Sequence, residues 1–229
     1  MKIVFPVKPI LLATLAFFLL SCASIKDEPN ELSSPIRASI SESPQEAIEG
    51  IELPAGYHLE LVLAEPHIEE PVLAVFDGNG RMYVAEMRTY MQDADSTGEF
   101  EPSSRVSTHE DTTGDGQYDR QTIFADNLLL PRIVLPIDDR VIIGETNTLD
   151  LYAYRDTDGD GISDEKHLWF EGGPCGGNLE HQPNGLIWAQ DNWLYTTYNE
   201  YRLRFTNGTV EKEEIPAMVA SGDSPKTTT

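Results

Sequence analysis

An all-β fold built from repeated four-stranded antiparallel units is what this sequence predicts. Three observations carry the expectation. Short β-rich runs broken by Gly, Asp, Asn and Pro fill the chain beyond about residue 48, no long amphipathic helix interrupts them, and two kinds of hairpin recur in the same order. The first kind reads P-V-L-A-V-F-D-G-N-G-R-M-Y-V-A-E from Pro71, P-R-I-V-L-P-I-D-D-R-V-I-I-G-E from Pro131 and P-N-G-L-I-W-A-Q-D-N-W-L-Y-T-T-Y from Pro183. Each is a strand, a tight polar turn and a second strand, with Asp77-Gly78, Asp138-Asp139 and Asp191-Asn192 at the turns. The second kind joins Val106–Glu110 to Arg120–Phe124, and Leu151–Tyr154 to Lys166–Phe170, through loops rich in Asp and Gly. Two consecutive hairpins make four antiparallel strands, and their recurrence every roughly 50 to 60 residues is the mark of a β-propeller blade. A β-sandwich of irregular hairpins is the alternative; the repetition of both hairpin types in one order favours the propeller. About three blades are present, fewer than a closed propeller usually has, so an incomplete propeller with an unpaired edge is expected.

The N-terminus reads as an export signal. Lys2 and Lys8 precede an uncharged apolar run, Ile10 to Leu20, too short to span a membrane comfortably. Leu19-Leu20-Ser21-Cys22 resembles the bacterial lipobox, which predicts a lipoprotein signal over 1–21 and a diacylglycerol on Cys22; an ordinary secretory signal with an incidental Cys is the alternative. Acyl chains hold a protein to a membrane by hydrocarbon burial. Ala23 gives no inner-membrane retention signal, and Lys26-Asp27-Glu28 resembles the acidic export signal of surface lipoproteins. The expected location is therefore the bacterial cell envelope, at the outer membrane on its periplasmic or surface side. Residues 22–47, rich in Ser, Pro and Glu and without period, read as a flexible tether, and 48–229 as the partial propeller domain.

With 16 basic and 39 acidic residues the net charge is −23, which repels phosphate backbones and excludes nucleic acid as a partner. Once Cys22 is lipidated only Cys175 remains, so no intramolecular disulfide forms.

The acidic residues cluster in the two loops. D-T-D-G-D-G-I-S-D begins at Asp156: Asp156, Asp158 and Asp160 occupy positions 1, 3 and 5 of an EF-hand-like loop, Gly161 the sharp turn, Ile162 the carbonyl position and Asp164 position 9. Oxygen-only donors select a hard cation, and calcium is the expected ion. Position 12 is His167 and no helices flank the loop, so it is no EF-hand proper, and its expected role is to lock a hairpin. The earlier copy keeps Asp111, Asp115 and Asp119 but has Thr113 at position 3, and is expected to bind poorly or to hold its turn without metal. A metal-free Asp-Gly turn is the plain reading of either copy.

A Gly-rich stretch from Gly172 precedes Asn178, Glu180, His181 and Asn184. An imidazole beside a carboxylate acts as a general base, and glycines let backbone approach a ligand; hydrogen bonding within a blade junction is the plainer reading. Trp188, Trp193 and Tyr195 are expected in the core.

G-G-N-L-E-H-Q-P-N-G-L-I-W together with R-M-Y-V-A-E-M-R-T-Y resembles the membrane-bound dehydrogenase family related to the glucose/sorbosone dehydrogenases, over roughly Leu53 to Phe205. The resemblance implies a propeller that oxidises a sugar or alcohol with pyrroloquinoline quinone, assisted by calcium, with His181 as the base that takes the hydroxyl proton and Glu180 beside it. It implies that Glu86, Arg88 and Tyr90 face the channel, Arg88 on a cofactor carboxylate, with Asn178 and Asn184 also on the cofactor. Relatives often continue into a c-type cytochrome with C-x-x-C-H, the implied electron acceptor, a motif this sequence lacks. The final residues, A-S-G-D-S-P-K-T-T-T, have no β pattern, and a one-nucleotide shift of a permissible coding sequence spells Q-W-G-L-T-K-D-D, similar to the segment that comes next in the family. A frameshift, in the genome or its assembly, is therefore expected; if the truncation is genuine, the polypeptide itself is expected to be inactive or poorly folded. Two other functions stay open: a calcium-stabilised propeller that binds glycans or proteins without catalysis, and a lactonase-type hydrolase.

Overall fold

The computed structural model describes residues 43–197 and 201–214. The export signal, Cys22 and nearly all of the tether lie outside the described residues, as do the C-terminal residues from 215 onward. The chain divides at Glu49–Gly50 into two units. Described in the first is α1 (Pro44–Glu49), a single helical stretch in the last residues of the expected tether. Its cause is local. The Ser43 Oγ accepts from the Glu46 N–H at 3.3 Å, and the Glu46 carboxylate accepts from the Ser43 N–H at 2.8 Å, a reciprocal cap on a helix that buries none of its residues.

The second unit is a propeller-type array of three four-stranded antiparallel blades. The first contains β1 (Pro71–Phe76), β2 (Met82–Glu86), β3 (Ser104–Glu110) and β4 (Arg120–Leu128). The second contains β5 (Ile133–Ile137), β6 (Arg140–Gly144), β7 (Leu151–Arg155) and β8 (Glu165–Phe170). The third contains β9 (Leu186–Trp188), β10 (Leu194–Thr196), β11 (Tyr201–Thr206) and β12 (Thr209–Glu214). In every blade the strands lie in chain order, and β5 packs against both β1 and β9, so the first strand of each blade is the innermost.

Turn chemistry sets the registers. Asp77 closes the β1–β2 turn by accepting the backbone N–H groups of Asn79 and Arg81 at 2.8 and 2.9 Å on one carboxylate oxygen. The β5–β6 loop is two residues long, with Ile137 opposite Arg140 and Asp138 at φ 55°. The hairpin of β11 and β12, which the three-fold pattern alone does not single out, turns on Asn207-Gly208 at φ 52° and 81°, the left-handed pair that matches strand twist.

Two apolar layers lie between the blades. Tyr83, Ala85, Val106 and Phe124 of the first blade meet Val134, Val141, Ile143 and Tyr154 of the second. On the other side Ile133, Ile142, Leu151 and Ala153 meet Leu186, Leu194, Tyr201 and Leu203. Successive side chains of a strand point to opposite faces, so the middle blade must be apolar on both, and β6 reads R-V-I-I-G with four of its five residues buried. The far face of the first blade is covered instead by the segment before β1. There the Glu69 N–H donates to Glu86 at 2.7 Å and the Met87 N–H to the Glu70 carbonyl at 3.0 Å.

One expectation for the core fails. Trp188 is 54% exposed on the innermost strand β9, while Trp193 and Tyr195 are half-buried under guanidinium groups. Arg202 and Arg204 stand 4.2 and 4.5 Å from the Trp193 ring centre, and Arg202 donates to the Tyr195 hydroxyl at 3.0 Å.

Candidate functional site

Alternating strand direction sorts the loops of the blades to two ends. The hairpin turns and both Asp loops lie at one end; the β2–β3, β4–β5, β6–β7 and β8–β9 connections lie at the other. A cavity of about 430 Å³ opens at this second end, lined by Val72, Leu73, Met87, Tyr90, Arg132, Glu180, Asn184 and Gly185. Its construction follows from the repeats. Val72, Arg132 and Asn184 each follow the proline that opens a first-type hairpin, so the same position in three blades points into one cavity.

Arg132 is the residue that single-repeat reasoning misses. An Arg at the start of a strand reads as a solvated charge; only the phase of the repeats marks it. Its Nε donates to the Thr146 Oγ1 at 2.8 Å and an Nη to the Leu179 carbonyl at 2.7 Å, while the Thr146 hydroxyl itself donates to the Leu130 carbonyl at 2.9 Å. The Tyr90 ring lies over the guanidinium, 5.9 Å from centroid to Cζ. Among the described residues no carboxylate pairs with it, and burial pushes the guanidinium below its ordinary value, countered by Tyr90 and Glu99.

The structure separates the residues singled out in the sequence. Tyr90, Glu180 and Asn184 reach the cavity. Glu86 does not: it is fully buried and clamped by both arms of Arg105, Nε at 3.0 Å and Nη2 at 2.8 Å, because strand alternation turns it onto the covered face of the first blade. Arg88 is held by Glu69 at 2.6 Å. Asn178 is spent within its own loop, its side-chain oxygen accepting from the Glu180 N–H at 3.0 Å and its carbonyl from the His181 N–H at 3.0 Å. His181 is exposed and is not among the residues that line the cavity.

Gln182, also unremarked in the sequence, is the buried strut of this loop. It is 2% exposed, accepts from the Asn147 N–H at 3.0 Å and donates to the Asn178 carbonyl at 3.1 Å. Asn184 is fixed by Thr197, whose hydroxyl lies 2.6 Å from its side-chain oxygen, which leaves the Asn184 amide free to donate.

At the opposite end, carboxylate oxygens of Asp156, Asp158 and Asp164 lie within 4.8 Å of one another. This all-oxygen donor set fits a hard cation. The loop is preformed by its own backbone: Asp156 accepts from the Gly159 and Gly161 N–H groups at 2.7 and 2.9 Å, and Asp164 accepts the Thr157 N–H and hydroxyl at 2.7 Å, which holds the Asp164 carboxyl below its ordinary value. Asp160 is turned away to accept the Ile162 N–H at 2.8 Å. In the earlier copy Asp111 accepts the N–H groups of Gly114 and Gly116 at 2.6 and 2.8 Å and Asp119 that of Thr112 at 3.0 Å, and no three-carboxylate cluster forms there among the described residues. Asp111 and Asp119 are occupied in holding this turn through backbone hydrogen bonds, as is Asp115 through the Gln117 N–H at 2.9 Å.

No curated protein matches the chain. Solved structures that align with it include a gluconolactonase from Xanthomonas campestris, at 14% identity over 69% of this chain and 51% of that one with a TM-score of 0.44. A structural-genomics target with a provisional gluconolactonase assignment aligns at 12% identity over 64% of this chain and 48% of that one, with a TM-score of 0.45. The chain thus spans about half the length of these structures. A family profile described as Domain of unknown function (DUF7133) matches residues 43–221, most of the chain, and the protein belongs to that family.

Proposed function

We propose that this chain is an exported, lipid-anchored propeller of the sugar- or alcohol-oxidising type, and that its substrate binds in the cavity between the innermost strands. The observation that carries the reading is the convergence of one repeat position from three blades on a cavity that Tyr90 and Glu180 also line, both from the stretches that resemble the membrane-bound dehydrogenases. About 430 Å³ suits a monosaccharide-sized ligand. In this reading Glu180 and the Asn184 amide take hydroxyl groups. His181, on the same loop though outside the cavity lining, is the base this reading assigns to the hydroxyl proton, and the hydride must pass to an oxidant supplied from outside the chain.

The residues assigned to pyrroloquinoline quinone fit it only in part. Glu86 and Arg88 are already paired inside the protein, so no step is derived through the quinone. Calcium fits the Asp156 loop. Since that loop is at the far end of its blade from the cavity, the ion's role in this reading is to fix a hairpin. The electron acceptor would be a c-type cytochrome at the bacterial envelope.

The full chain incubated with calcium, pyrroloquinoline quinone, a redox dye and a panel of sugars and alcohols tests the reading. Dye reduction that disappears in His181→Ala is the expected result. Sugar binding with no dye reduction would replace it with the non-catalytic glycan-binding function, and opening of a sugar lactone without redox turnover would replace it with the lactonase.

A further inference from the structure

The sharpest chemical feature of the cavity is the charge inside it. The chain carries a net charge of −23, yet the one guanidinium in this cavity has no carboxylate partner among the described residues. Elsewhere the arginines are taken up: Arg81 by Asp77, Arg88 by Glu69, Arg105 by Glu86, Arg202 by Glu213 and Arg204 by Glu211. Glu99 offsets part of the cost of burying this cation from a distance, but no carboxylate among the described residues hydrogen-bonds to it, which leaves room for a counter-charge in the cavity.

Arg132 is also held in place. Of a guanidinium's five N–H groups, one on Nε goes to Thr146 and one on an Nη to the Leu179 carbonyl, and Tyr90 covers the plane. Both acceptors are neutral, so they orient the fork without cancelling its charge, and the remaining N–H groups have no protein acceptor among the described residues. A fork fixed from behind and open in front matches a planar carboxylate through two parallel hydrogen bonds.

The other lining groups narrow the ligand. Val72, Leu73 and Met87 form an apolar wall, while Glu180 and the Asn184 amide offer an acceptor and a donor for hydroxyl groups. Glu180 opposes a second negative group, which disfavours phosphate and dicarboxylates. We infer that the cavity selects a hydroxylated monocarboxylate of monosaccharide size, a sugar acid, with Arg132 on the carboxylate and Glu180 and Asn184 on the hydroxyls. The inference rests on the reading of this cavity as the ligand site, but not on redox chemistry.

Calorimetric titration of the full chain with D-glucuronate and with D-glucose tests it. Glucuronate is expected to bind about ten- to hundred-fold more tightly than glucose. Arg132→Gln is expected to bring glucuronate down to the level of glucose with the far-ultraviolet circular dichroism unchanged, and Arg132→Lys, which keeps the charge and loses the fork, to fall between. Equal affinity for the two sugars, or a folded Arg132→Gln that binds glucuronate as well as the parent, would overturn the sugar-acid selectivity while leaving the cavity as a sugar site. Binding of neither sugar would overturn both. Should Arg132→Gln fail to fold, a neutral ligand decides on the parent chain: D-glucuronamide, which keeps every hydroxyl and loses the carboxylate charge, is expected to bind no more tightly than glucose, and an affinity equal to that of glucuronate would overturn the inference.

Discussion

Tyr201 sits in the layer between the second and third blades, 1% exposed and stacked on Phe170 at 6.0 Å. Burial pushes its hydroxyl up to about 12, since a phenolate there would lose its hydration. In the unfolded chain the same group releases its proton near 10. Its contribution is therefore fully present below about pH 10 and is lost as pH rises through 12, an effect of roughly 2–3 kcal/mol. Urea midpoints measured from pH 9 to 11 are expected to fall more steeply for the parent than for Tyr201→Phe. Parallel curves would remove Tyr201 from the account. Legibility at this scale was uneven. Tyr90, Glu180 and Asn184, which line the cavity, stand out in sequence because they lie in long distinctive stretches, whereas Arg132 does not, because one copy of a repeat says nothing of where its side chain converges with the others. Glu86 was misplaced for a different reason. Strand alternation in M-Y-V-A-E gives its face, but only the packed segment before β1 shows that this face is covered.

At the scale of the element, the two Asp loops show how near-identical strings diverge. Both are tied by carboxylate-to-backbone hydrogen bonds, and both have Asp at the first and ninth positions accepting them. Only the Asp156 loop carries a third carboxylate where Thr113 stands in the other, and only there do three carboxylates converge. Without an ion these like charges repel; with one they are ligands. Calcium is expected to raise the melting temperature of the parent by a few degrees and to have no such effect on Asp158→Thr, which copies the earlier loop. A calcium-induced rise of equal size in both would show that the ion binds elsewhere. The loops were legible in sequence because their ligand spacing is local. That Asp160 turns away to hold the Ile162 N–H was not, since a position in a pattern does not fix a rotamer.

For the whole molecule, the order of hairpins was enough to give the array of four-stranded blades, because antiparallel neighbours joined by short turns leave few other arrangements. The Trp188 expectation failed for want of the same global view: a large aromatic belongs inside only if a neighbouring sheet faces it, and the innermost strand β9 lies open there. The middle blade has neighbours on both faces, and its Ile142 is 0% exposed within the second layer. Ile142→Ala is expected to cost about 2–5 kcal/mol, read as a lowered urea midpoint, whereas Ile187→Ala, at a position 67% exposed, is expected to stay within about 0.5 kcal/mol. Similar losses at both positions would mean that the layers are not the main source of stability.

The backbone of Arg132 has a place in this architecture apart from its side chain. Its N–H donates to the Gly144 carbonyl of its own blade at 2.9 Å, and its carbonyl accepts from the Gly185 N–H of the next blade at 3.3 Å. One residue is thus both a rivet between two sheets and part of the wall of the cavity beside them. A tilt of the second blade against the third would strain this backbone link and shift the guanidinium together, so blade pitch and the shape of the cavity wall share one hinge point.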